Sequence, residues 1–248
     1  MKGLILEKEP KSPVSESYRT LRTNIDFSSI DSETKKILVT SSGPQEGKST
    51  VSSNLALAMA ASGKKTIFID CDLRKPTVHK KFKLSNLNGL SNLLVEGLKI
   101  EDIAICYAPN LDVLTSGTIP ANPSEIITSN KMKLFLEEVQ TKYERIIIDS
   151  PPLNAVTDGQ ILATLVDGVV LVVASGSTEV EGAKKAKELL DNVQANITGV
   201  VLNKAERIHS KKYSYNSYYY YYGENGHKKS RRKKEKKKNK KINTVVTE

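Results

Sequence analysis

The stretch Ile37-Leu-Val-Thr-Ser-Ser-Gly-Pro-Gln-Glu-Gly-Lys-Ser-Thr50 decides the fold. Its first four residues form a short apolar, β-branched run, which reads as a strand covered on both faces. Next comes a loop of small residues ending in Gly-Lys-Ser-Thr, and then a helical pattern over Thr50 to Ala61. A strand, such a loop and a helix in this order make a phosphate-binding loop. Backbone N–H groups and the positive end of the helix converge on the phosphates, and small residues let the backbone come close. The expected nucleotide contacts are Ser42, Gly43, Pro44, Gln45, Glu46, Gly47, Lys48, Ser49 and Thr50. Lys48 would bridge the β- and γ-phosphates of ATP, and the Ser49 hydroxyl would ligate Mg²⁺. Ser42 stands where such loops usually begin with glycine.

Outward from this loop, β-branched runs alternate with helical patterns, the signature of βαβ units. The spacing predicts strands at Ile37 to Thr40, Thr66 to Ile69, Leu111 to Leu114, Arg145 to Ile148, Gly168 to Val173 and Ile197 to Leu202. Helices are expected at Thr50 to Ala61, Leu90 to Val95, Lys131 to Lys142, Asp158 to Leu165 and Val180 to Val193. Asn122-Pro123-Ser124-Glu125 reads as an N-cap, a proline at the first helical position and a capping-box acid. A further helix, Ser15 to Phe27, precedes the first strand. The fold class is α/β, P-loop NTPase-like, with a mostly parallel sheet and helices on both faces. Apolar periodicity stops after Asn203, so the domain is expected to span 1–206 and a disordered, Tyr-rich and polybasic tail 207–248.

Two more strand ends carry acids: Ile67-Phe-Ile-Asp-Cys-Asp-Leu-Arg74 and Ile146-Ile-Ile-Asp-Ser-Pro-Pro152. In a parallel sheet these ends share one edge, where ligands of open α/β sheets bind. Asp149 would hold the metal with Ser49 and Asp72. A phenol with a pKa near 10 needs a proton acceptor to attack phosphorus at neutral pH. Asp70 or Asp72 fills that role; Asp70, nearer the strand end, is the stronger candidate, with Asp72 assisting the metal. The alternative for Asp72 and Arg74 is a structural ion pair.

Seven of the ten tyrosines, Tyr213, Tyr215, Tyr218, Tyr219, Tyr220, Tyr221 and Tyr222, lie in the tail. Residues 228–241 hold eleven Lys or Arg and one Glu, which equals the whole formal charge of +10 and leaves the remainder neutral. Such a block repels itself and offers a handle to anionic membranes, nucleic acid or phosphorylated segments. Cys71 and Cys106 have no disulfide or metal-ligand spacing, and His79, His209 and His227 are scattered, so a reducing, cytoplasmic setting is expected. The N-terminal apolar stretch is too short for a signal peptide.

As a set, SSGPQEGKST, IFIDCDLRKP, IIIDSPP and YSYNSYYYYYG resemble the Walker A, A′ and B motifs and the C-terminal tyrosine cluster of the bacterial tyrosine kinases of capsule and exopolysaccharide operons, the BY-kinases. LTSGTIPANPSEII also looks like a segment these proteins share. On spacing alone Glu16, Arg19 and Arg22 read as an exposed, self-paired stripe on one helix face; they also match the family's E-x-x-R-x-x-R motif, and that resemblance implies instead an intersubunit contact in a ring-like homo-oligomer. The resemblance implies ATP-dependent autophosphorylation of the tyrosine cluster, between subunits. It implies activation by a separate transmembrane adaptor of the polysaccharide co-polymerase type, reversal by a cognate tyrosine phosphatase, and control of polysaccharide polymerisation and export. The place of action would be the inner face of the cell membrane, reached through the adaptor or the polybasic tail. Asn203, after the last strand, is a candidate adenine contact or a simple turn residue.

Two other readings compete. A deviant-Walker partition or positioning ATPase would hold DNA through the basic tail, but such proteins carry a lysine five residues before the P-loop lysine, and position 43 is glycine; no nucleic-acid partner is therefore expected. A nucleotide-binding adaptor without transfer activity is the other, and the intact Lys48, Ser49, Asp70, Asp72 and Asp149 speak against it.

Overall fold

The structure, a computed structural model, describes residues 3–28 and 34–205. The junction near 206, the seven tail tyrosines and the polybasic segment lie outside the described residues.

Seven strands form one sheet: β1 (Lys36–Ser41), β2 (Thr66–Asp70), β3 (Ile105–Ala108), β4 (Leu111–Leu114), β5 (Arg145–Asp149), β6 (Gly168–Ala174) and β7 (Ile197–Asn203). Their order is β3-β4-β2-β5-β1-β6-β7. Every neighbouring pair is parallel except β3–β4. The six expected strands are all present, within one residue of their predicted ends. The added strand, β3, is a four-residue edge strand only partly buried, so no apolar run marks it.

The central strands are buried along nearly their whole length, as continuous apolar runs require. The longer helices are α2 (Pro13–Phe27), α3 (Lys48–Ala60), α8 (Asn130–Lys142) and α10 (Val180–Asn192), with shorter α5 (Leu90–Glu96), α7 (Pro123–Thr128) and α9 (Asp158–Ala163). Three one-turn helices, α1 (Ile5–Lys8), α4 (Val78–Phe82) and α6 (Ile100–Ile103), escape periodicity analysis because they are shorter than its window.

Each face of the sheet has its own core. Val39, Val51, Leu55, Met59 and Phe68 join α3 to one face; Leu38, Ile69, Ile148, Leu162 and Leu190 join the later helices to the other. Burying each such side chain stabilises by about 1.5–3 kcal/mol relative to leaving it in water. Helix α3 is buried on nearly all sides, with almost no amphipathic contrast, which fits its place between the sheet, α1 and α2.

Local chemistry sets the helix ends. Ser12 caps α2 by accepting a hydrogen bond from Ser15 N–H (3.2 Å), and Pro13 occupies the first turn, so α2 begins two residues before the predicted Ser15. The Asn122 prediction is corrected in one respect. Pro123 does start α7, but the Asn122 side chain caps no backbone group and instead donates to Glu125 Oε2 (3.1 Å). Helix α2 is fastened to the core by Asp26, whose Oδ1 accepts from Lys64 Nζ (2.8 Å) and Arg145 Nη2 (3.1 Å).

Candidate active site

Because β1, β2, β5, β6 and β7 run parallel, their C-terminal ends share one edge, and the loop Ser42–Gly47 sits there. Gly47 has φ 93°, and a Cβ on it would lie 2.1 Å from Asn203 Nδ2. Only glycine fits both the left-handed backbone and the space. Gln45 is also left-handed, at φ 63°.

The loop is braced from two sides. The Glu46 carboxylate accepts from Ser42 N–H (2.9 Å), Ser42 Oγ (2.6 Å) and, across the sheet edge, Thr178 Oγ1 (2.7 Å). This explains Ser42 at a position usually given to glycine: its hydroxyl makes one of the three bonds that hold Glu46. From the end of β7, Asn203 Nδ2 donates to the Glu46 carbonyl (2.8 Å) and Lys204 Nζ to the Gln45 carbonyl (2.7 Å). Asn203 thus props the loop backbone, a contact neither of its two sequence readings anticipates.

Beyond the loop, one lysine faces three carboxylates. Lys48 Nζ donates to Asp72 Oδ2 (2.9 Å) and Asp149 Oδ2 (3.3 Å). Ser49 Oγ donates to Asp149 Oδ2 (2.6 Å) and Ser52 Oγ to Asp149 Oδ1 (3.0 Å). Asp70 and Asp149 are register partners on adjacent strands. Asp70 is fully buried and accepts from Asp72 N–H (3.1 Å) and Val78 N–H (3.4 Å). Burial, with the Asp149 charge next, pushes the Asp70 carboxyl well above the usual carboxylate range. Burial also raises Asp149, against the opposing pull of Lys48 and Ser49. Burial would lower Lys48, but the Asp149 and Asp72 charges outweigh it and hold the ammonium above its ordinary value.

Three carboxylates against one ammonium leave excess negative charge in a buried place, and the donors are all oxygen. That set fits a hard divalent cation together with nucleotide phosphates. Among the described residues no group of three or more His, Cys, Asp or Glu could hold a metal by itself. A magnesium ion here would take one or two protein ligands, Ser49 and Asp149 or Asp72, and the rest from phosphate and water.

Arg74 does not pair with Asp72. Its guanidinium grips Asp158, Nε to Oδ2 (2.8 Å) and Nη2 to Oδ1 (3.2 Å), while Ser124 Oγ donates to the same Asp158 Oδ1 (2.7 Å). This clamp ties the loop after β2 to the first turns of α7 and α9. The sequence motifs do not mark Ser52, Asp158 or Thr178 as part of the site. Ser52 carries a signal, being three residues past Ser49 on one helix and so on the same face; Asp158 and Thr178 arrive from distant segments and carry none.

The stripe on α2 is self-paired only in part: Arg19 Nη1 donates to Glu16 Oε2 (2.9 Å), while Arg19 Nη2 donates to the Pro10 carbonyl (2.7 Å) and Arg22 Nη1 reaches the Ala58 carbonyl on α3 (3.5 Å). It lies away from the carboxylate centre, on the outer helix.

Residues 34–204 match the AAA domain family. The chain is 46% identical over 215 residues to the tyrosine-protein kinase YwqD of Bacillus subtilis (strain 168), covering 86% of this chain and 91% of that protein. It is a bacterial tyrosine kinase of the BY-kinase family. The chimerical protein CapA2B2 shares 44% identity with this kinase and superimposes with a TM-score of 0.79 over 82% of this chain and 90% of that one. A plasmid partition protein from Borrelia burgdorferi, 20% identical, shares the fold, with a TM-score of 0.58 over 72% of this chain and 83% of that one. Among the described residues of the kinase no helix is long and apolar enough to cross a membrane.

Proposed function

We propose that this kinase transfers the γ-phosphoryl group of ATP to the hydroxyls of its own tyrosine cluster, Tyr213 to Tyr222, between subunits of a ring. The observation that carries the reading is the meeting of Lys48, Ser49, Asp72 and Asp149 within hydrogen-bond reach at the mouth of the phosphate loop. In the reaction the phenol oxygen forms a bond to phosphorus as the bond to the β-phosphate bridging oxygen breaks. Asp70, at the end of β2, takes the phenol proton, giving up one of its two backbone bonds, from Asp72 N–H or Val78 N–H, to do so, while Asp72 assists the metal. Lys48 leaves the carboxylates and neutralises charge on the transferring group. Magnesium, when bound, supplies further charge neutralisation, with Ser49, Asp149 and Asp72 as its holders. Asn203, beside the loop, lies next to the nucleotide and contributes to its binding.

Glu16, Arg19 and Arg22 make the contact between ring subunits by exchanging their internal bonds for a neighbour's. A transmembrane adaptor of the polysaccharide co-polymerase type activates the kinase at the inner face of the membrane, a cognate tyrosine phosphatase reverses it, and the cycle regulates capsular or exopolysaccharide polymerisation and export. The tail from 207 onward is a separate acceptor unit in this reading, with 228–241 available to anionic surfaces.

The test uses purified full-length protein with ATP, Mg²⁺ and the adaptor's cytoplasmic segment, probed for phosphotyrosine. Replacing the seven tail tyrosines by Phe should remove the signal while ATP still binds with unchanged affinity. Undiminished phosphotyrosine in that variant would refute the proposed acceptor.

A further inference from the structure

Lys81 lies beside the phosphate loop yet belongs to none of its motifs. It sits on the one-turn helix α4, whose register is fixed at both ends. Val78 N–H is bound to Asp70 Oδ2 (3.4 Å), and the Phe82 ring packs on Phe68 (centroids 5.4 Å) and edge-on against Tyr107 (4.7 Å). Held in this way, the half-buried Lys81 extends to the start of α3, where Nζ donates to Thr50 Oγ1 (2.8 Å). Among the described residues it enters no ion pair, although the molecule gives other half-buried or buried cations a carboxylate, as with Lys48, Lys64 and Arg145. Burial lowers its pKa, and the charges of Asp149 and Lys48 both act on it, so it belongs to the electrostatic neighbourhood of the phosphate site.

A half-buried ammonium whose partner is a neutral hydroxyl is a cation waiting for an anion. Thr50 is the last residue of the loop motif, one position past the metal-binding Ser49. The N–H groups there cradle the α- and β-phosphates rather than the γ-phosphate. With glycine at 43, the loop itself brings a single lysine, Lys48.

We propose that Lys81 is a second phosphate-facing cation of this kinase, a positioning residue that turns from Thr50 to the α/β-phosphate side of a bound nucleoside di- or triphosphate. The proposal rests on the nucleotide reading of the site and adds a determinant outside the recognised motifs. Charge develops on the bridging and β-phosphate oxygens as that bond breaks and hardly at the α-phosphate, so a contact on the α side of the pair acts nearly equally in the ground state and the transition state. It therefore shows in nucleotide affinity and KM more than in kcat.

The experiment measures the dissociation constant of a fluorescent ADP analogue for the full-length chain at low and high salt, alongside ATP KM and kcat for autophosphorylation. Lys81→Met should weaken ADP binding about tenfold at low salt. The difference should shrink at high salt as the lost charge is screened. ATP KM should rise similarly and kcat change less. Lys81→Arg should stay within about threefold of wild type, and Lys80→Met, on the exposed side of the same helix, should match wild type. Wild-type affinity in Lys81→Met, or a loss that is independent of salt and shared by Lys81→Arg, would overturn the proposal and leave Lys81 a packing residue. A wild-type chain that bound neither ADP nor ATP would instead overturn the nucleotide reading on which it stands.

Discussion

Ser49 Oγ donates to Asp149 Oδ2 at 2.6 Å, joining the first turn of the phosphate-loop helix α3 to the last residue of β5. The bond makes the hydroxyl and the carboxylate one preorganised pair, with Lys48 on the same oxygen. Buried charge held in this way is a liability to the nucleotide-free fold, and Asp70 is where that liability is greatest.

Asp70→Asn should flatten the pH dependence of the melting temperature of the nucleotide-free chain while abolishing phosphotransfer. The folded pKa of Asp70 lies well above the ordinary value of 3.8, so the folded state holds its proton more tightly than the unfolded chain. Stability therefore falls as pH rises from near 3.8 through the raised folded value, and the penalty persists at neutral pH. An amide removes this pH dependence, at the loss of one backbone hydrogen bond, because both Asp70 oxygens accept from N–H groups and an amide has a single oxygen. A variant whose melting temperature varies with pH just as the wild type's does would contradict the electrostatic description.

Asp158 has the opposite sign. Burial alone would raise its pKa, but the Arg74 and Ser124 hydrogen bonds outweigh that and hold it below 3.8. Its contribution is present above the unfolded value and lost as pH falls through the folded one. Asp158→Asn should destabilise by about 1–2 kcal/mol at pH 7, a figure discounted because Arg74 is partly solvated, and by progressively less toward low pH. Urea unfolding at neutral and acid pH reads the difference.

Gly47→Ala and Gly43→Ala should part company. At Gly47 the left-handed backbone and the Asn203 amide 2.1 Å from a new Cβ both forbid a side chain, so nucleotide binding should be lost and stability should drop by about 1–3 kcal/mol. At Gly43 the nearest atom to a new Cβ is 3.5 Å away, so the fold should survive. Thermal melts with and without ADP separate the two.

If Glu16, Arg19 and Arg22 join subunits as proposed, replacing all three by Ala should dissociate the oligomer, as read by light scattering, and barely shift Tm. The Glu16–Arg19 pair is solvent-exposed, and such pairs contribute about 0–1 kcal/mol. A monomer with a much lower Tm would mean that the stripe serves the fold instead.

Sequence reaches some of this molecule and not the rest for physical reasons. Strands such as Arg145–Asp149 announce themselves because burial on both faces forces a continuous apolar run, and Asp149 stands out at its end. Lys48 and Ser49 are legible because the loop motif is contiguous. Edge strand β3 has no such run, and one-turn α4 has no periodicity, so the helix that carries Lys81 is invisible to pattern. The Glu46–Thr178 and Arg74–Asp158 bonds join residues 132 and 84 positions apart, and no local pattern encodes such distances. Asp72 and Arg74, two residues apart, suggest a pair to each other, but in the loop after β2 they reach opposite neighbours, Lys48 and Asp158.

The most direct measurement is mass spectrometry of the tail peptides released from full-length protein after incubation with ATP, Mg²⁺ and the adaptor's cytoplasmic segment. Phosphate should appear on tyrosines between Tyr213 and Tyr222 in the wild type, and Lys48→Met should lower its rate of appearance by at least about 100-fold. An unmodified wild-type tail, or equal modification in Lys48→Met, would contradict the claim that this phosphate site acts on these tyrosines.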